Sequence, residues 1–470
     1  MSKKLSAQPP KSWLEKTNDE YAFVLEGGEA RIFTQVVDPD FNCLRIQSIK
    51  PAAFKSAFDN RLVDVSPPGT EKARLVGLGT CWMKHPDRRQ YLKGTTLIAN
   101  GNVPDGYYNL WTGWGVEPVQ GDWSLMQWHI KHIVCGNNQD LYNYLMRWMA
   151  RAIQKPEVPG ETAIVLKGKK GTGKGTLGNA LCKLFGGHAL HFTKSDQLVG
   201  RFNAHLRTAI FIFADEAFFA GDKKNEGSLK ALITEETVAI EAKGVDLVTG
   251  KNRTHIMMAT NNDWAVPSSA EERRFFVVEV SDEMRGDFEY FNKLKAEQDQ
   301  GGLAAMLYDL QTLDISDFNV RDIPQTAALL DQKILSLTGT EAWLYECLQT
   351  GSVPVHHDAE TDWDESGIDF AKSDAYDAFV RRASVYKCAR DVPGKSVWSK
   401  RIREIVGATD SRQQKIRKLV LPPLDQCRAK FEAFIGHDIE WSEPTTRPNT
   451  EAANTNSVVT KMRMRKKALK

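Results

Sequence analysis

AIVLKGKKGTGKGT, residues 163–176, is the stretch on which the reading of this chain turns. An apolar run from Ala163 to Leu166 has the composition of a buried strand. It feeds a glycine-rich turn in which Gly168, Gly173 and Lys174 stand at the spacing G-x-x-x-x-G-K. A strand entering such a loop, with a helix leaving it, makes a cradle for phosphate. The glycines let backbone N–H groups approach the phosphate oxygens, and the helix dipole adds to them. Gly168, Gly171, Thr172, Gly173, Lys174, Gly175 and Thr176 are therefore the expected phosphate-binding residues, with a helix from about Gly175 to Phe185 stopped by Gly186 and Gly187. Lys174 is expected to reach the β/γ-phosphates of a nucleotide. A surface lysine on an ordinary glycine loop would share the composition, but strand, spacing, lysine and helix all agree here.

Three downstream stretches extend the pattern. In TAIFIFADE, residues 208–216, a buried-strand run from Ala209 to Ala214 delivers Asp215 and Glu216 about 40 residues after the loop. Strands of this kind place acids at the carboxyl edge of a parallel sheet, beside the phosphate loop. Asp215 is expected to hold Mg²⁺, directly or through water, and Glu216 to orient or deprotonate the attacking water. HIMMATNN, residues 255–262, is another apolar strand ending in amides, and Asn261 or Asn262 is expected to sense the γ-phosphate or the water. EERRFF, residues 271–276, places Arg273 and Arg274 ahead of the strand Phe275–Val280, where an arginine can stabilise charge on a transferring phosphoryl group. Each stretch alone has a bland reading, such as a Glu271–Arg274 surface pair. Their order behind a phosphate loop makes the joint coincidence improbable.

The chain has 470 residues, enough for several domains. Charged residues at 26% and hydrophobic ones at 41% are ordinary for a globular protein. No apolar run is long enough to span a membrane, and MSKKLSAQPPKSW carries no apolar segment of a secretory signal. Seven scattered cysteines without a C-x-x-C pair fit free thiols in a reducing compartment. The net charge of +2 is uneven: residues 441–470 hold seven Lys/Arg against two Glu, +5, leaving −3 elsewhere. KMRMRKKALK at the end reads as a solvated arm that also suits nucleic acid.

Along the chain, 1–155 reads as an α+β region, with strand candidates Tyr21–Leu25 and Ala30–Gln35 around Gly27-Gly28. Its tryptophans Trp82, Trp111, Trp114, Trp123 and Trp128 are expected in the core rather than as base-stacking platforms. Asn138 should cap a helix to about Gln154. His129, His132 and Cys135, three apart, lack a fourth ligand for zinc and read better as packed helix side chains. Residues 156–290 form the α/β unit, 291–340 read as helical, and 358–369 as an acidic loop. Helical stretches Ser373–Lys387 and Ser396–Val406, followed by Lys415, Arg417 and Lys418, suggest a winged helix within 341–441. Residues 442–470 are expected to be a linker and basic tail.

GKKGTGKGT, IFIFADE, ATNNDWAVP and EERRFFVVEV together resemble superfamily 3 helicases, the AAA+ motors of small DNA viruses, poxviruses and phages. FNAHLRTAIFIFADE, LKALITEETVAIEAKGVD and YYNLWTGW resemble the phage and prophage primase–helicases of the poxvirus type. The resemblance covers roughly 80–290. It implies an AAA+-like P-loop core, ATP and Mg²⁺ as cofactors, and a ring, usually a hexamer, with the finger arginine acting on the neighbour's nucleotide. It also implies a bacterial-host cytoplasmic setting, single-stranded or forked DNA as partner, and a separate primase or polymerase, because no acid–x–acid pair with a supporting histidine precedes residue 80. The family's DNA contact is a β-hairpin before the sensor strand. Here that is residues 238–255, with strands expected at Val238–Glu241 and Val245–Val248, turns at Lys243-Gly244 and Gly250-Lys251, and Lys243, Lys251 and Arg253 as phosphate contacts. One departure and one rival reading stand out. Gly175 replaces the Ser or Thr that usually ligates magnesium, so Thr176 and Asp215 become the candidate ligands. GKGT also occurs in nucleoside monophosphate kinases, a reading disfavoured by the DE pair, the asparagines and the length. The expected function is a DNA helicase of phage replication, the alternative an ATP-gated remodeller or loader that does not separate strands.

Overall fold

Five short strands, mostly apolar, make the central sheet. They are β1 (Ala163–Lys167), β2 (Ala189–Phe192), β3 (Phe211–Asp215), β4 (His255–Thr260) and β5 (Phe275–Glu279). Their order is β2-β3-β4-β1-β5 and every pairing is parallel. Strands covered on both faces read as continuous apolar runs, not alternating ones, and β1 and β4 are buried along their whole length. All five carboxyl ends meet at one edge, because the strands are parallel. β4 lies between β1 and β3, so three distant stretches of sequence become neighbours there. The chain is thus a mixed α/β protein built around a parallel sheet.

The structure is a computed structural model and describes residues 12–66, 71–200, 203–216, 223–241, 248–266, 272–355, 360–363 and 366–442. It divides into two compact units, 1–265 with 274–324, and 266–273 with 325–470. The division falls inside the segment 291–340.

In the first unit the helix α1 (Lys174–Phe185) follows the glycine loop. It comes so close to β3 that a Cβ at Gly178 would lie 2.3 Å from the Phe213 ring. One hydrophobic cluster runs from Ala22 to Val320 and joins the N-terminal region to the sheet. Strands Tyr21–Glu26 and Glu29–Asp38 pair around Gly27-Gly28, extended by Cys43–Ile49 and by the parallel pair Gln90–Tyr91. Trp82, Trp123 and Trp148 are buried in the core, while Trp111, Trp114 and Trp128 pack against it. The Asn138 side chain accepts from Asp140 N and Leu141 N and caps Gln139–Gln154.

In the second unit, α2 (Gly339–Thr350), β6 (Ile368–Ala371), α3 (Lys372–Arg381), α4 (Lys395–Val406), β7 (Thr409–Gln413), β8 (Ile416–Leu421) and α5 (Leu424–Ile435) follow in that order. The sheet order is β6-β8-β7. Trp343, Phe379, Trp398, Ile402, Leu419 and Phe431 fill its core.

Three local expectations change. The described second arm of the hairpin before β4 is Val248–Lys251, paired with Thr237–Ile240; of the expected strand Val245–Val248, residues 245–247 lie outside the described residues. Gly250 lies inside this strand rather than in a turn, because the Ile240 side chain occupies the space a Cβ would need, 2.6 Å away. The acidic stretch contributes the short strand Glu360–Asp362, paired with Ser352–Pro354, and the first residues of β6. Its anchor is Trp363, buried, with its indole N–H on Pro422 O. Helix α3 stops at Arg381 rather than running to Lys387. Arg382 leaves the helix to bond Glu346, and Ala383 and Tyr386 turn into the core. Lys243 and the tail lie outside the described residues. Among the described residues no helix is long and apolar enough to cross a membrane, and all seven cysteines are free.

Candidate functional site

The glycine turn between β1 and α1 has Gly171 at φ +83° and Gly173 at φ +91°. A side chain at Gly173 would be strained by that φ and would strike the His129 ring at 2.5 Å. Gly173 is the N-cap of α1 and no side chain caps the helix. Apart from Thr176 N–H, which donates to Gly173 O, its first-turn amides keep the donor capacity of a helix N-terminus. Thr172 is buried and its hydroxyl donates to Lys169 O, so it stiffens the loop.

The Lys174 ammonium donates to Gly168 O at 2.8 Å, Lys169 O at 2.7 Å and Asn261 Oδ1 at 2.8 Å. Its three donors thus rest on three neutral oxygens. Burial lowers its pKa, opposed by Glu216 and Asp215. An anionic oxygen reaching this edge makes the stronger hydrogen bond and displaces one of the carbonyls.

Asp215 ends β3, and Glu216 follows at φ +57°. That region costs a residue with a Cβ about 1–2 kcal/mol. The turn is held by Glu216 N–H donating to Ala259 O at 2.8 Å. Glu216 Oε2 accepts from Asn261 N–H at 3.3 Å. Asn261 therefore touches the lysine with its side chain and the glutamate with its backbone. Such strained, over-determined residues gather at working sites. Asn262 is exposed, with its N–H on Thr260 Oγ1 at 3.0 Å. Glycine at 175 is not imposed by space, since a Cβ there meets only Asn179 Nδ2 at 3.8 Å. Thr176 sits half-buried in the first turn of α1.

Arg274 does not join this cluster. It precedes β5, whose first residue, Phe275, pairs with Ala163 at the amino end of β1. The glycine loop begins at the other end of β1, five residues or about 16 Å away at 3.3 Å per residue. Arg273 is exposed and belongs to the second unit. Of the candidate DNA contacts, Lys251 is exposed at the hairpin base, opposite Thr237. Arg253 is half-buried, with its guanidinium on Lys251 O and its pKa lowered by burial.

Two histidines join the site although their sequence context gave them no part in it. His129 is buried between the Tyr290 hydroxyl, 2.8 Å from Nδ1, and Gly173 O, 3.3 Å from Nε2. Burial pushes its pKa down to about 4, so it buttresses the loop as a neutral ring. Only its place in an apolar helix is visible in sequence; the partner is 44 residues away. His191 on β2 has Nε2 3.9 Å from Asp215 Oδ2. His132 stacks on Trp128, and burial pushes the Cys135 thiol up to about 12. No group of three His, Cys, Asp or Glu suited to a metal occurs among the described residues.

The site lies within the part of the chain that other proteins share. Residues 166–274 match a family of unknown function, DUF5906. Over 143 residues the chain is 29% identical to the DNA primase-polymerase of Nitratiruptor phage NrS-1, covering 30% of this chain and 20% of that protein. The chain thus spans about a fifth of the curated relative it matches. Two apo structures of the NrS-1 C-terminal region superpose with TM-scores of 0.57 each, at 17% and 16% identity. They cover 87% and 88% of this chain and 98% and 100% of theirs. Likeness at that identity speaks for the fold.

Proposed function

We propose that the chain is a nucleotide-driven motor of phage DNA replication, a P-loop ATPase of AAA+ type that hydrolyses ATP in a ring and unwinds DNA. The observation that carries it is the junction at Asn261, where the loop lysine, the acid after β3 and the amide after β4 converge on one sheet edge. The sequence likeness to a phage primase-polymerase supplies the replication context.

The residues present suit a nucleotide with a magnesium ion. Lys174 and the uncapped first turn of α1 face anionic oxygens, and Asp215 and Thr176 offer oxygen donors beside them. Bound Mg²⁺ would neutralise charge on the β/γ-phosphates. Lys174 exchanges its carbonyl partners for phosphate oxygens. Glu216, held at φ +57° and bonded to Asn261, takes the proton of the attacking water. Asn261 registers which partners Lys174 keeps, and β4 runs back from it toward the hairpin base. Arg274, a strand's length from its own loop, serves a neighbouring subunit's nucleotide, which makes a ring necessary.

The test is strand displacement on a forked duplex with ATP, by wild type and by Glu216→Gln. Unwinding by wild type alone supports the motor. ATP hydrolysis with DNA binding but no displacement would leave a remodeller or loader.

A further inference from the structure

Residues 372–418 of the second unit contain thirteen Lys and Arg against five Asp and Glu, +8 over 47 residues, in a chain whose total is +2. The remainder is therefore −6. Part of this charge is spent internally. Lys372 and Arg403 meet Asp410, Arg401 meets Glu341, and Lys418 meets Asp369. Arg412, Lys415 and Arg417 make no ion pair among the described residues.

These three sit on the β7–β8 hairpin. All five residues of β7 are exposed. The turn residues Gln414 and Lys415 both have positive φ, +48° and +69°, the tight two-residue turn of twisted hairpins. Arg412 and Arg417 are direct cross-strand partners. Like charges placed opposite each other destabilise a hairpin, and no acid among the described residues relieves this pair. Arg417 shares its side of β8 with Leu419 and Leu421, which are buried in the core. On that same side of β7, Arg403 of α4 reaches Asp410, two residues from Arg412. The arginine pair therefore extends the sheet face against which the end of α4 rests. The outer side of α4 is open: Ser396, Val397 and Lys400 are exposed, while Trp398, Ile402 and Val406 are buried.

We propose that the second unit is a winged-helix site for double-stranded DNA. Helix α4 enters the major groove by Ser396, Val397 and Lys400, and the β7–β8 hairpin grips the flanking backbone through Arg412, Lys415 and Arg417. The major groove of B-form DNA, about 12 Å wide, admits a helix. The deep, narrow groove of A-form RNA does not, so DNA is the occupant the shape selects. This site is separate from the nucleotide edge and does not depend on it.

The experiment is fluorescence anisotropy of the full chain without nucleotide, on a 20-bp DNA duplex, the same duplex in RNA and a single DNA strand, across a salt series. Arg412→Ala/Lys415→Ala/Arg417→Ala is compared with wild type and with Arg412→Lys/Arg417→Lys. The alanine variant should bind the DNA duplex at least tenfold more weakly at low salt. Its log–log salt slope should be shallower by about 2.7, at 0.9 for each phosphate that three missing cations no longer neutralise. The lysine variant should retain most of the affinity, and both should melt as wild type does. Unchanged duplex affinity and slope in the alanine variant overturn the proposal, as does RNA duplex binding as tight as DNA. DNA-stimulated ATP hydrolysis is read separately on the same preparations. Its absence in wild type would remove the motor while leaving the duplex result standing.

Discussion

The chain carries two hairpins that differ in charge and in what they are built onto: Thr237–Lys251 has two Lys against one Glu and one Asp, and Thr409–Leu421 has four Lys/Arg against one Asp. Thr237–Lys251 belongs to the parallel-sheet unit. Asn203 ties it by Nδ2 to Ala239 O and by Oδ1 to Glu241 N, both at 2.8 Å. At its base the buried Asn252 donates to Leu232 O and Glu235 O, and β4 begins three residues later. The other end of β4 is the asparagine that holds Lys174. Thr409–Leu421 joins the three-stranded sheet of the second unit and is braced by α3, α4 and β6. One hairpin is wired to the phosphate loop by a single strand; the other is a fixed projection. In the proposed motor the first is placed to move with the nucleotide, the second to hold.

The largest expected effect is at the wire's origin. Glu216→Gln should keep nucleotide affinity and slow hydrolysis by about 10²–10⁴-fold, since it removes only proton acceptance. Lys174→Ala should lose both affinity and turnover. Neither should change nucleotide-free DNA-duplex binding by the second hairpin. Titration with a fluorescent nucleotide and a phosphate-release assay check this, and a Glu216→Gln enzyme with normal turnover breaks the assignment.

Next in size is packing in the first unit alone. Gly178→Val must push the Phe213 ring aside and should cost about 1–3 kcal/mol by overpacking. Calorimetry should show the transition of the parallel-sheet unit lowered and that of the second unit unmoved. An unchanged melting profile would mean that α1 does not pack on β3 as described.

Acid should separate the units in the same direction. Burial lowers the pKa of four described histidines, all in the first unit: His129 and His188 to about 4, His255 to about 3, and His205. A depressed folded-state value means the unfolded chain takes up the proton first. For the buried rings of His129, His188 and His255 this stability is full above about pH 6.5 and is lost as pH falls toward 4, at up to about 1.4 kcal/mol per pH unit for each, and the half-buried His205 adds less. Unfolding followed at pH 7 and pH 5 should show the first unit weakening more than the second. Equal loss would contradict the assignment of neutral buried rings.

The parallel strands were legible because β1, β3, β4 and β5 are covered on both faces and so are apolar without interruption. The glycine loop was legible because the positive φ at Gly171 and Gly173 favours glycine at those two places. The hairpin register was not: strand-like residues continue through 245–248, and what places Gly250 in the strand is a tertiary contact with Ile240. His129 was equally hidden, since a buried histidine on an apolar helix has no signature until Gly173 lies beside it. The junction at Asn261 needed the sheet order, which no spacing encodes.

The smallest expected effect is at Gly175. A serine there meets only the Asn179 amide, so Gly175→Ser should fold as wild type and change turnover less than about threefold, a difference of under 1 kcal/mol. A marked gain would show that the missing hydroxyl limits magnesium binding and that Thr176 does not replace it.

In the proposed motor the nucleotide edge and the hairpin before β4 form one coupled device. ATP hydrolysis measured with and without single-stranded DNA, for wild type and for Lys251→Ala, tests it most directly. Coupling predicts hydrolysis that rises on adding DNA in the wild type, and a Lys251→Ala enzyme that keeps its basal rate but loses most of the rise. A rate indifferent to DNA in the wild type, or full stimulation in Lys251→Ala, would contradict it.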